Sequence, residues 1–148
     1  QFFQHLNAFR KKNTIDLINK FFHRSYLYQW NLTTFSKIAL ACDAAIIPLE
    51  LEHPLMKGKP ENKLILFWKL GLPTITSASP AYDRAMKKAG LNQACHNSKD
   101  WVDQLETLIN NNRYRESTGI RAREFAEKEY HSNKVIEQWD KIFINLFS

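Results

Sequence analysis

The stretch Lys57–Ser79 admits few folds. It holds a polar loop, a short helix, a Gly-Pro turn, a strand and a second polar loop, in that order. Pro60 suits a first helical position, and Leu64, Leu66, Phe67 and Leu70 recur at helical spacing. Gly71 offers a left-handed stop, and Pro73 prevents the helix from continuing. Thr74–Ser77 is β-branched and apolar, the pattern of a short buried strand. The polar residues fall at two ends that a sheet would bring together.

The same alternation of helix and strand extends in both directions. Upstream, Phe2–Phe22 is apolar at mostly helical spacing, interrupted by Arg10-Lys11-Lys12. That cluster is either a solvated helix face or a membrane-facing one. Tyr26–Trp30 alternates aromatic and polar residues like a short strand. Asn31 or Thr33 can cap a helix over Phe35–Ala41, with Phe35, Ile38, Ala39 and Cys42 on one face. Asp43 closes that helix and opens Ala44–Leu49, an apolar strand of the fully buried type. Leu49–Gly58 reads as a loop.

Downstream, Ser79-Pro80 signals a helix start, with Tyr82, Ala85, Met86 and Ala89 inward and Gly90 as the stop. Ala94–His96 is a last small strand. Ser98 caps a helix with Trp101, Leu105, Leu108 and Ile109 on one face, broken by Asn110–Asn112. Tyr114–Tyr130 and Ser132–Phe147 are two more helices, the second with Val135, Ile136, Trp139 and Phe143 as its stripe. Trp68, Trp101 and Trp139 all read as core. About four strands alternating with helices predict an α/β fold: a parallel sheet with right-handed crossovers, flanked by helices and ending in a helical C-terminal part.

The chain's 148 residues suit one domain, 1–148, and 44% apolar with 13% aromatic residues argue for a packed core. No apolar run reaches the ~20 residues of a membrane span. The chain starts at Gln1 in what reads as a helix, so a fragment is expected. Cys42 and Cys95 have no CxxC partner and read as buried free thiols in a reducing compartment. His5, His23, His53, His96 and His131 show no zinc-ligand spacing. The net charge of +6 suggests affinity for anions without choosing among nucleotide phosphate, acidic lipid, nucleic acid and simple solubility. No Walker loop, GxGxxG fingerprint or nucleophile elbow is present.

In an open α/β sheet, ligands bind beyond the carboxyl ends of the strands, where helix N-termini suit a pyrophosphate. Pro60–Lys63 and Ser79–Tyr82 are the two such starts, and the small residues Ser77-Ala78-Ser79 allow close backbone approach. Asn62 can bond a phosphate or sugar hydroxyl and Lys63 can add a point charge, or both can be a plain polar first turn. Glu61 is either a dipole-favourable charge or a hydroxyl ligand. Tyr82 faces either the cleft or the core.

The runs Cys42–Leu49, Asn62–Ile65 and Gly71–Ser77 resemble the donor-side domain of GT-B glycosyltransferases, with order and spacing agreeing over roughly residues 25–147. The resemblance implies half of a GT-B fold, a Rossmann-like domain binding a nucleotide-diphosphate sugar as donor substrate, without a metal or other cofactor. It implies a cytoplasmic enzyme, sometimes peripheral to the membrane, whose acceptor-binding N-terminal domain, with the catalytic base, would be missing here. In it Pro48 stands at the mouth of the donor cleft, and Trp30 where a base or ribose packs, unless Trp30 is a core tryptophan. Many retaining members carry a ribose-gripping Glu five residues before the Gly. Leu66 occupies that position here. Two alternatives stand beside the transferase: a degenerate, non-catalytic GT-B-like module, which Leu66 favours, and a GT-B-shaped nucleotide-sugar epimerase, whose acid/base carboxylates the sequence does not reveal. A nucleic-acid binder is disfavoured, because Phe67 and Trp68 fall among apolar helix positions rather than beside Lys57, Lys59 and Lys63 on one surface.

Overall fold

Thr74–Ser77 forms a strand, as its β-branched run predicts, and lies at the centre of the sheet. The computed structural model describes residues 26–147. The helix expected over Phe2–Phe22, with Arg10-Lys11-Lys12, therefore lies outside the described residues. Chain contacts divide the protein into two units, Gln1–Phe35 and Ser36–Ser148. In the first, Tyr26–Trp30 is exposed and has no regular structure, not the strand its alternation predicts. Alternation alone does not fix a strand. Asn31 does cap the next helix, α1 (Leu32–Leu40): its Oδ1 accepts from Thr33 N at 2.8 Å.

The second unit is mixed α/β. A three-stranded parallel sheet runs in the order β1 (Ala45–Ile47), β2 (Thr74–Ser77), β3 (Ala94–Cys95). Ile46 pairs with Ile75, Ile47 with Thr76, and Ser77 with Cys95. α2 (Pro54–Lys57) and α3 (Asn62–Lys69) connect β1 to β2, and α4 (Pro80–Ala89) connects β2 to β3. α5 (Ser98–Asn110), α6 (Asn112–Glu129) and α7 (Ser132–Phe147) complete the helical C-terminal part.

Helices cover both faces of the sheet. On one face Leu64, Ile65 and Trp68 of α3 join Tyr82, Ala85 and Met86 of α4 and the small residues Ala122 and Ala126 of α6. Leu64 and Trp68 have no exposed surface, and complete burial of a side chain like Leu64 contributes about 1.5–3 kcal/mol. On the other face Ile75, Cys95 and Leu108 pack with Trp101 and Tyr114. The turns that link helix to strand are built alike. Gly71 (φ 75°) and Gly90 (φ 66°) follow α3 and α4 in the left-handed conformation. At each, the glycine N–H and the next N–H reach back to the helix, Leu72 to Phe67 O at 3.1 Å and Leu91 to Met86 O at 2.9 Å.

Several expectations are corrected. β1 spans three residues rather than Ala44–Leu49, and it is not buried on both faces: Ile46 is 56% exposed, because α5 packs over β2 and β3. The loop Leu49–Gly58 contains the one-turn helix α2, capped by His53 Nδ1, which accepts from Leu55 N at 3.2 Å. Pro60 precedes the cap residue Glu61 instead of opening α3, and Leu66 of the expected stripe faces outward, because the buried face runs through Leu64, Ile65 and Trp68. Asn97, not Ser98, caps α5, its Oδ1 accepting from Asp100 N at 3.0 Å, and Ile109 is exposed. Cys42 is exposed; only Cys95 is buried. Trp139 is exposed with the rest of the α7 stripe, and Trp101 is half-buried. Among the described residues the sheet has three strands, where about four were expected.

Helix α6 lies across the α3–β2 turn at a single point. A Cβ on Gly119 would collide with the carbonyl oxygen of Gly71 and come within 3.3 Å of Pro73 Cδ. Both neighbours belong to a hydrogen-bonded turn and cannot yield cheaply. Gly119→Ala is therefore expected to lower stability by about 1–3 kcal/mol, read as a lower urea midpoint at unchanged slope. A gain, as expected for Ala in an unobstructed helix, would show that α6 does not sit this close.

Candidate functional site

The carboxyl edge of the sheet collects the segments after each strand: Pro48-Leu49, Ala78-Ser79 and His96-Asn97. Ser77 at the end of β2 fixes this edge. Its Oγ accepts from Leu49 N at 2.8 Å and donates to Leu49 O at 3.1 Å, extending the β1–β2 pairing by a side chain. Ser77 is buried with both hydrogen-bonding roles of its hydroxyl used inside the protein. Pro48, beside it, is exposed.

The two helix starts named from sequence differ in kind. At α4, Ser79 is fully buried and its Oγ accepts from Tyr82 N at 3.3 Å, while Ser79 O accepts from Asp83 N at 2.8 Å. Pro80 has no N–H. The first turn of α4 thus leaves only the Ala81 amide without a cap partner, and Ser79 acts as a cap rather than as a ligand group. Tyr82 turns into the core, 1% exposed, and its phenol pKa is raised by burial and by the nearby Glu61 charge.

At α3 the start is open. Glu61 occupies the cap position with no side-chain cap bond, and Asn62 and Lys63 follow it, both exposed. Among the described residues, no hydrogen bond is made by the backbone N–H groups of Asn62 or Lys63. The Glu61 carboxylate is turned aside: Oε1 accepts from the Tyr130 hydroxyl at 3.0 Å and Oε2 lies 3.7 Å from Arg84 Nη2. Three elements therefore meet at Glu61: the α3 start, the first half of α4 and the end of α6. Trp30 belongs to the first unit; it is 62% exposed, with its ring centroid 4.7 Å from that of Phe35.

Arg84, Tyr130, Asp83 and His96 also lie at this edge and were not named from the sequence. His96 follows β3 directly, donates its N–H to Asp100 Oδ2 at 2.8 Å, and places Nε2 3.8 Å from Asp83 Oδ1. The amide of His96 is the main cause of the lowered Asp100 pKa. A strand-end position and a helix first turn could have pointed to His96 and Asp83. No local signal connects Tyr130 to Glu61, 69 residues earlier.

Two cavities lie beside the opposite, amino edge. One of about 430 Å³ is lined by Leu91, Asn92, Tyr114 and Arg121 before β3; the other, of about 300 Å³, by Cys42, Asp43, Leu72 and Arg115 before β1 and β2. Among the described residues no group of three or more His, Cys, Asp or Glu could hold a metal ion. No helix there is long and apolar enough to cross a membrane. No protein family, curated protein or solved structure matches the chain.

Tyr130 gives the site a titratable marker. Burial first, then the charge and hydrogen bond of Glu61, push its phenol from 10.0 up to about 12. The unfolded chain therefore loses this proton first as pH rises. The stabilisation is complete below pH 10 and is lost between pH 10 and about 12. Tyr130→Phe is expected to lower stability at neutral pH and to flatten that alkaline decline, both read from urea unfolding across pH. An equally steep decline in the variant would mean that the folded protein does not hold this proton above its ordinary pKa.

Proposed function

We propose that the unit Ser36–Ser148 is a Rossmann-like nucleotide-sugar-binding domain, the donor half of a GT-B-type glycosyltransferase. The observation that carries the reading is the open start of α3: unbonded Asn62 and Lys63 amides and both side chains exposed at the carboxyl edge of a parallel sheet, where an anion is favoured. It is supported by the likeness of Cys42–Leu49, Asn62–Ile65 and Gly71–Ser77 to that family. Asn62 and Lys63 hold the diphosphate, Pro48 borders the cleft, and Arg84 offsets the charge of Glu61. In transfer, the bond from the anomeric carbon to the diphosphate breaks as the bond to the acceptor oxygen forms. The diphosphate leaves with the electron pair, and the acceptor proton goes to a base supplied by an N-terminal domain. Stabilising that departing charge is this domain's share of the catalysis. Cytoplasmic placement, with peripheral membrane contact through Arg10-Lys11-Lys12, belongs to the same reading.

A second reading has its own observation. Leu66 stands where the resemblance has a ribose-gripping Glu, and it is 40% exposed. A module that keeps the architecture and has lost turnover fits that position.

Calorimetric titration with UDP, GDP, ADP and their sugar conjugates tests the donor-domain reading. One nucleotide is expected to bind selectively, and Asn62→Ala and Lys63→Ala are each expected to weaken it about tenfold, the loss of a charge-assisted contact worth about 1.5 kcal/mol. Selective binding that both variants leave intact would move the site away from α3. No binding of any of these compounds would refute the donor-domain reading.

A further inference from the structure

We propose that α7 is the contact surface of a symmetric dimer, packing antiparallel on α7 of a second copy of this chain. The inference is independent of what the carboxyl edge of the sheet binds. Val135, Ile136, Trp139, Ile142, Phe143 and Leu146 recur at three- and four-residue intervals, which places them on one stripe of the helix. They are 40–69% exposed, and α7 has no buried residue at all. A 16-residue helix in water is marginal by itself, and no described residue buries that stripe.

The area fits a second copy. At roughly 200 Å² for a large side chain, the six residues expose on the order of 600 Å². That is at the top of the range for the largest apolar patch of a monomer. Doubled, it is roughly 1,200 Å², the lower end of a stable protein interface.

The pattern fits as well. A two-fold interface must be self-complementary. The stripe is symmetric about Trp139: Ile136 and Ile142 lie three residues to either side, and Val135 and Phe143 four. A two-fold axis at Trp139 therefore sets Val135 against Phe143 of the second copy, and Ile136 against its Ile142. The charges of the helix lie off the stripe and cancel, with Lys134 and Lys141 against Glu137 and Asp140. Two copies thus bring no net charge together at this surface, although the chain as a whole carries +6. A helix built for an acidic membrane surface would instead have a polar face rich in Lys and Arg.

Sedimentation equilibrium of the whole chain tests this. The expected mass is twice the 17.4 kDa of one chain, falling twofold to the monomer in Trp139→Glu and Ile142→Glu and retained in Trp139→Phe. A second measurement does not depend on how the Glu variants fold. With exposed Cys42 replaced by Ser, Trp139→Cys on the axis should cross-link under mild oxidation, while Glu137→Cys on the far side of the helix should not. A monomer at every concentration, a dimer unchanged by both Glu variants, or equal cross-linking at 137 and 139 would overturn the proposal. So would a monomer that sediments with phosphatidylcholine–phosphatidylglycerol vesicles through α7, which would assign the stripe to a membrane.

Discussion

The second unit depends on how closely α6 approaches the turn between α3 and β2. Gly119 has no side chain where the Gly71 carbonyl passes, and Ala122 and Ala126 continue the same small-residue line along α6. That line lets Trp68 lie fully buried between α3 and α6, with Phe125 edge-on at 5.8 Å between ring centroids. The turn in turn sets the start of β2, since Pro73 O accepts the Ala45 N–H that begins the β1–β2 ladder. Helix packing and strand register are thus coupled through one glycine contact. The far end of α6 then brings Tyr130 to Glu61, so the same approach also shapes the carboxyl edge of the sheet.

What could be read in advance follows from the range of the forces involved. Strand β2 and helix α4 were legible to the residue, because their determinants are local: a β-branched run, a Ser-Pro start and two glycines that must adopt positive φ. The bounds of α7 were legible too, yet its burial was not. Periodicity reports that a helix has an apolar face, not that anything covers it. Tyr26–Trp30 has the alternation of a strand and no regular structure, because that pattern depends on context more than helix periodicity does. In α3 Leu64 and Trp68 read as core and are, but Leu66 reads wrongly on the same stripe, because it is as apolar as its buried neighbours and sequence alone does not show which face α6 covers.

The candidate site was partly legible. Asn62, Lys63 and Pro48 stand exposed at the edge where a parallel sheet places them. Ser77, Ser79 and Tyr82 were named for being at that edge, and they are, but the protein's own backbone and core use them. Glu61 was named as a charge near a helix start; its partners Arg84 and Tyr130 come from elements far along the chain and no spacing rule reaches them.

The two helix starts show why a strong local signal is a poor guide to a binding group. Ser79-Pro80 is the clearer start in the sequence because Ser caps well and Pro needs no partner for its nitrogen. Those same properties remove the donors that an anion would use: the cap takes Tyr82 N–H, the chain takes Asp83 N–H, and Pro80 has none. The start at Glu61 is the weaker signal, because Glu is not among the residues that cap well; in the fold its carboxylate is drawn off to Arg84 and Tyr130. The distant pair that holds the Glu61 carboxylate therefore keeps it off the Lys63 amide, while the Asn62 amide, at the first helical position, lies outside the reach of any such cap. The openness of this helix start arises in tertiary structure, from a cap that is withheld.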